Sequence, residues 1–159
     1  MLRCDMPAVY RIESATFPLP WYEGDFLTAL RKGAIGMVAE LDGEIAGYMV
    51  YESYPSGFRI QNFAVDEKSR RRGVGSAMVN TLIKKLPQHR RQEVTLEVRE
   101  SNLPMCHLLS SLEFKAVAVV AGYYADTDED AYEFRYRLKA EEPVYHPRNR
   151  IAQHLGGES

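Results

Sequence analysis

Phe63-Ala64-Val65-Asp66-Glu67-Lys68-Ser69-Arg70-Arg71-Arg72-Gly73-Val74-Gly75-Ser76 is the stretch on which the chain turns. An apolar run over 58–65 alternates as a strand and ends at Asp66. A basic loop follows, then two glycines, then a segment with helical period. Met78, Val79, Leu82, Ile83 and Leu86 recur at the spacing of one buried helix face, and Pro87 is expected to stop it. Strand, glycine turn and helix start together suit an anionic phosphate. First-turn N–H groups have no intrahelical partner, and the helix dipole makes that end positive. Gly73 and Gly75 permit close backbone approach or positive φ, and Arg70, Arg71 and Arg72 add charge. Taken alone, two glycines after three arginines also describe a solvated loop. No Lys-Ser/Thr pair follows the second glycine, so this is not a Walker loop, and a dinucleotide fingerprint would need a third glycine.

Outward from this stretch the periodicities alternate between 3.6 and 2. Towards the N terminus, Asp5 is a candidate cap for a helix over 5–14, and an aromatic loop with two prolines spans 16–22. A second helix covers 23–31, and strands cover 35–41, 45–54 and 58–65, the first two joined by the hairpin pair Asp42-Gly43. Towards the C terminus, 93–98 alternates with Val94, Leu96 and Val98 on one face. Ser101 or Asn102 then caps a helix carrying Met105, Leu108, Leu109 and Leu112 on its core side. Strands over 114–124 and 132–138 flank the acidic loop 126–130. The order is α-α-β-β-β-α-β-α-β-β, an α+β fold around a mixed, mostly antiparallel central sheet. The connection from the third to the fourth strand is long enough for a parallel crossover. Residues 1–138 are expected to form one domain and 139–159 a polar tail.

A chain of 159 residues, 45% apolar, supports one sizeable core. Its net charge of −2 gives no general reason for nucleic-acid binding. Cys4 and Cys106 have neither metal-ligand nor redox spacing and read as thiols of a reducing compartment. No apolar run is long enough to span a bilayer, and no signal-peptide core opens the chain. A cytoplasmic protein without a metal follows as the expectation.

The element order, with Arg70, Gly73 and Gly75 filling a Gln/Arg-x-x-Gly-x-Gly/Ala signature after a strand, resembles the GNAT (Gcn5-related) N-acetyltransferases. Within them the chain is most similar to the bacterial ribosomal-protein-alanine N-acetyltransferase group. The pieces are Phe17-Pro-Leu-Pro-Trp21, Asn62-Phe-Ala-Val-Asp66, the glycine loop, Leu96-Glu-Val-Arg-Glu-Ser-Asn102, Ser111-Leu112, Tyr123-Tyr124 and Glu129-Asp-Ala131. The resemblance implies acetyl-CoA as cosubstrate and a peptide or protein N-terminal amine as acceptor, a ribosomal protein among the candidates. No direct nucleic-acid or membrane partner is implied, and a homodimer is left open.

The same resemblance assigns roles. Backbone N–H groups of Arg71, Arg72, Gly73, Val74, Gly75 and Ser76 would take the pyrophosphate, with Arg70 beside them. The exposed backbone of Phe63, Ala64 and Val65 would pair with the pantetheine amides as an added strand does, and Val65 N–H would face the thioester carbonyl. Glu97 would be the general base for the attacking amine. Asn102 would bond the pantetheine arm; from the residues alone it is a helix cap and Glu97 a solvated sheet glutamate. The family places a tyrosine general acid on the following helix, where this chain has Leu109, and its glycine before the phenylalanine is Glu113. Tyr123, Tyr124 and His107 are candidate substitutes, His107 pointing the wrong way round its helix; a thiolate can also leave unprotonated. Trp21 and Tyr22 lie in a loop that lines the acceptor side in the family, although a tryptophan there also serves as a core plug. The acidic loop could attract a cationic acceptor or be a solvated turn.

A further departure is that only Met1-Leu2-Arg3 precede Asp5. The family's first strand is therefore expected to be truncated, unless the true start lies upstream. The tail could cover the exposed edge, mediate a dimer or be disordered. Three functions stay in view: an N-terminal α-amine acetyltransferase, a small-amine (polyamine, amino acid or aminoglycoside) acetyltransferase, and a catalytically weak CoA-binding module.

Overall fold

The computed structural model describes residues 1–140, so the tail beyond Ala140 lies outside the described residues. Its elements are α1 (Met6–Thr16), α2 (Glu23–Arg31), β1 (Ile35–Leu41), β2 (Glu44–Tyr54), β3 (Gly57–Val65), α3 (Val74–Gln88), β4 (Glu93–Arg99), α4 (Leu103–Ser111), β5 (Lys115–Tyr124) and β6 (Glu129–Arg137). They follow the expected order, in one six-stranded sheet ordered β1-β2-β3-β4-β6-β5. All neighbours are antiparallel except β3 and β4, joined through the α3 crossover. No described helix is long and apolar enough to cross a membrane.

Two cores sandwich the sheet. On one face α3 contributes Met78, Val79, Leu82 and Leu86 and α4 contributes Leu109, packed over Phe58, Ile60, Phe63, Val94, Leu96, Val98 and Phe134. On the other, α1 and α2 bring Val9, Ile12 and Phe26 onto Tyr48, Val50 and Ala64. The alternation of β4 is what places Val94, Leu96 and Val98 in the first core and turns Glu97 to the second face.

Several boundaries differ from expectation. Asp5 does not cap α1 with its side chain; it accepts the Leu2 N–H and closes a 3-10 turn, Arg3–Asp5, that runs into the helix. Pro87 does not stop α3, which continues to Gln88. Pro87 cannot donate to the Ile83 carbonyl, but it stands one residue before the helix end, so little helix is left beyond it to disturb. Strand β6 begins three residues earlier than expected, because Glu129 pairs with Tyr124 and Ala131 with Arg99. No strand precedes α1 among the described residues. The Met1 ammonium instead donates to the Gly36 carbonyl on the edge strand β1, at 3.2 Å.

Candidate active site

The site begins where two parallel strands part. Strands β3 and β4 pair only at Gly57 with Glu93, Phe58 with Val94 and Arg59 with Thr95. Beyond Arg59 the strands diverge. The cause lies in β3, where Gln61 is an extra residue: Tyr51 opposes Ile60 while Val50 opposes Asn62. Such a bulge bends and twists its strand. A wedge therefore opens between residues 60–65 of β3 and 96–99 of β4. Gly57 closes its narrow end, since a Cβ there would stand 2.1 Å from the Glu93 carbonyl oxygen.

The wedge is lined by main chain. Asp66 N–H bonds the Ala46 carbonyl on the β2 side. Strand groups alternate in direction, so Phe63 and Val65 direct their N–H and carbonyl groups away from β2, into the wedge. An extended amide chain can add there as a strand. Arg70 Nε bonds the Val65 carbonyl at 3.1 Å. The signature arginine thus ties the loop to the strand end through Nε.

At the wedge's wide end stands the start of α3. Arg71 (φ 60) and Gly73 (φ 81) are both left-handed. None of the backbone N–H groups of residues 71–76 donates to a described backbone acceptor. They form a cluster of donors at a positive helix end, a fit for a pyrophosphate. Arg71 is exposed, and Arg72 pairs with Asp42 at 3.0 Å. The donor set suits a ligand with a phosphate head and an amide arm, as the sequence expects of acetyl-CoA.

Glu97 lies on the wedge's other wall. Its side chain is 17% exposed, and its carboxylate meets Arg59 at 2.8 Å. Burial works against the Arg59 charge, but the charge and hydrogen bond of Glu97 outweigh it, and the guanidinium pKa rises. On the neighbouring strand β6, Glu133 sits opposite Glu97 and is paired with Arg135. Tyr124 donates its hydroxyl to the Glu97 carbonyl oxygen at 3.5 Å, and its ring lies under Arg99 with 3.9 Å to the centroid. Its pKa is pushed up to about 12, first by burial and then by Tyr123. Tyr123 packs edge-on against it and is exposed.

Other expected residues divide. Asn102 Oδ1 accepts the Met105 N–H at 3.3 Å and so caps α4, which leaves Nδ2 with no described partner. Leu109, where the resemblance leads one to expect a tyrosine, is fully buried. His107 is exposed. Trp21 is a plug, edge-on to Phe26 at 5.2 Å, while Tyr22 faces solvent. Three carboxylates of the acidic loop have partners within the protein. Asp126 and Glu129 pair with Arg99, and Asp130 accepts the Gly122 N–H. No group of three or more His, Cys, Asp or Glu side chains able to hold a metal occurs among the described residues.

Two features escape local sequence patterns. Arg59 is one. The other is Glu13, a buried carboxylate that accepts the Trp21 N–H and the Asn62 amide and meets the Tyr48 hydroxyl. It ties the aromatic loop to β2 and β3. Burial raises its pKa, with the Asp25 charge adding; the Trp21 and Asn62 bonds pull down without cancelling the rise. An acidic side chain at the end of an apolar helix stripe, Val9, Ile12 and Glu13, is the signal that could have found it.

Comparison with known proteins gives a consistent result. A model of the acetyltransferase (GNAT) family matches residues 6–114. The [ribosomal protein bS18]-alanine N-acetyltransferase of Escherichia coli (strain K12) is 31% identical over 129 residues, covering 80% of this chain and 87% of its own. An N-alpha-acetyltransferase of Sulfurisphaera tokodaii is 34% identical over 144 residues, covering 80% and 84%. The crystal structure of the ribosomal-protein-S18-alanine N-acetyltransferase from Escherichia coli superposes with a TM-score of 0.79 at 28% identity, covering 92% of this chain and 96% of that one.

Proposed function

The chain belongs to the GNAT acetyltransferase family and is an acetyl-CoA-dependent N-acetyltransferase; on that basis we propose that its acceptor is the α-amine of a protein N terminus and that Glu97 is the general base. The observation that carries the proposal is the position of Glu97. It is a carboxylate on the wall of a wedge whose opposite wall is unpaired main chain from Phe63 to Val65. The curated relatives act on N-terminal amines by name, and a ribosomal protein N terminus is the first acceptor to try.

In this proposal the donors of residues 71–76 hold the pyrophosphate, and Phe63 and Val65 pair with the pantetheine amides. Asn102 Nδ2, which the α4 cap does not use, joins them. Acetyl-CoA supplies the activated acyl group. Glu97 takes the proton that the acceptor nitrogen sheds, directly or through a water, as nitrogen bonds to the acetyl carbon and the carbon–sulfur bond breaks. The Val65 N–H is directed to the oxygen that gathers charge in that step. With Leu109 in the place of the tyrosine, sulfur leaves as a thiolate or takes its proton from Tyr124, whose raised pKa keeps its hydroxyl protonated through the neutral range.

The test is thiol release with a peptide panel and a small-amine panel. Glu97→Gln is expected to lower kcat by about 100-fold or more while thermal melting and CoA binding persist. An unchanged kcat removes Glu97 from the mechanism. Turnover of small amines alone moves the acceptor class. CoA binding with no turnover on any amine supports the weak module, the reading favoured by the buried Leu109.

A further inference from the structure

Arg59 sits at the branch point of the wedge, in the last pair before β3 and β4 part. Its side chain shares the face of Glu97 and is 43% exposed. Among the described residues its guanidinium makes one hydrogen bond, from Nη2 to Glu97 Oε1 at 2.8 Å. Its remaining N–H groups have no described partner. Two of the neighbouring carboxylates have other partners. Glu133 pairs with Arg135, and Glu93 with Arg135 and Arg137. Glu52 lies opposite Arg59 on β2, and the exposed Tyr123 is within electrostatic range on the other side.

A guanidinium in this position has a consequence for the acceptor. An amine delivered to Glu97 arrives protonated, as a second cation at the same carboxylate. An acceptor bearing only that charge, or a further positive one, is repelled by Arg59. An acceptor with a carboxylate close to its amine matches the pair charge for charge, the ammonium on Glu97 and the carboxylate on the unused donors of Arg59. The fork of an arginine engages a carboxylate through two parallel bonds, which fixes orientation as well as charge. Such an acceptor would also draw Arg59 off Glu97 and free the base.

We propose that Arg59 makes this enzyme selective for acceptors that carry a carboxylate near the reacting amine, foremost protein N termini with an acidic side chain in the first two residues. The inference rests on the transferase reading with Glu97 as base. The shared chemistry is a primary amine with a nearby carboxylate, and a free acidic amino acid presents it too.

The experiment measures kcat/KM with the full chain, acetyl-CoA and peptides that differ only in the charge of residues one and two, alongside free aspartate and glutamate. The acidic peptides are expected to exceed the neutral ones by about fivefold, the scale of a partly exposed ion pair, and the basic ones by more. Arg59→Met is expected to flatten the series to within about twofold, and Arg59→Glu to reverse it. Arg59→Lys keeps the charge and should keep the order, which guards against a Met variant that folds poorly. Arg59-dependent turnover of the free amino acids, with none of the peptides, supports the carboxylate selection and makes the acceptor small. A wild-type series indifferent to charge, or an acidic preference that survives Arg59→Met, overturns the role of Arg59. Absence of thiol release from every acceptor overturns the transferase reading instead.

Discussion

Glu13 shows how one buried side chain can organise a site it never touches. Its two oxygens receive donors from the aromatic loop and β3 and meet the Tyr48 hydroxyl of β2. Glu13→Ala would leave those buried donors without acceptors, at about 1–3 kcal/mol for each one unsatisfied. The expected outcome is a clear drop in the urea midpoint, with a rise in acceptor KM as the loop loses its tether. Glu13→Gln separates charge from shape. Because the native pKa is raised, folded Glu13 holds its proton at pH values where the unfolded chain has lost it. Its contribution to stability therefore falls as pH rises from the ordinary glutamate range through the raised native value. The stability of Glu13→Gln relative to wild type should climb across that window in urea melts at stepped pH. A flat difference would show that Glu13 ionises normally.

Most of the ten helices and strands were legible because they carry their own period, β5 being read from its continuous apolar run, and because Asp42-Gly43 is a strong hairpin signal realised here with both residues left-handed. What local pattern could not supply was the place where β3 leaves β4. The bulge at Gln61 is a mismatch of register between two strands, visible only once they are paired. Gly57 carries the counterpart of that opening. Its missing Cβ lets the strands meet at the narrow end, where any side chain would collide with the Glu93 backbone. Gly57→Ala is expected to destabilise the fold by about 1–3 kcal/mol, as overpacking does, and to weaken CoA binding by moving the strands apart at their last shared pairs. Calorimetric melting together with CoA titration checks both parts. Intact melting with intact binding would mean that the wedge does not depend on this contact.

The molecule as a whole is a sheet left deliberately incomplete, its gap facing a helix start that lacks acceptors. The glycine loop and the facing of Glu97 were readable, because a strand's alternation and a helix's first turn are local properties. The partners of Glu97 and Glu13 were not. Arg59 lies 38 residues from Glu97, and Asn62 lies 49 from Glu13, so only the fold brings them together. An incomplete sheet also makes stability depend on its ligand. If CoA completes β3 as an added strand and meets the donors of residues 71–76, it binds the native state alone. Saturation at a hundred times Kd should then stabilise the fold by about 2.7 kcal/mol. The gain should be smaller for a pantetheine fragment, which keeps the amide arm without the pyrophosphate. It should be smaller again for Gly73→Val, where a branched residue is forced into the left-handed conformation at the head of α3. Thermal shifts with CoA, the fragment and inorganic pyrophosphate separate the two halves of the site. A shift from CoA with none from either half alone is consistent with the joint cradle, because linked contacts reinforce one another. No shift from CoA at saturating concentration would mean that the wedge and the helix start are not where the cosubstrate binds.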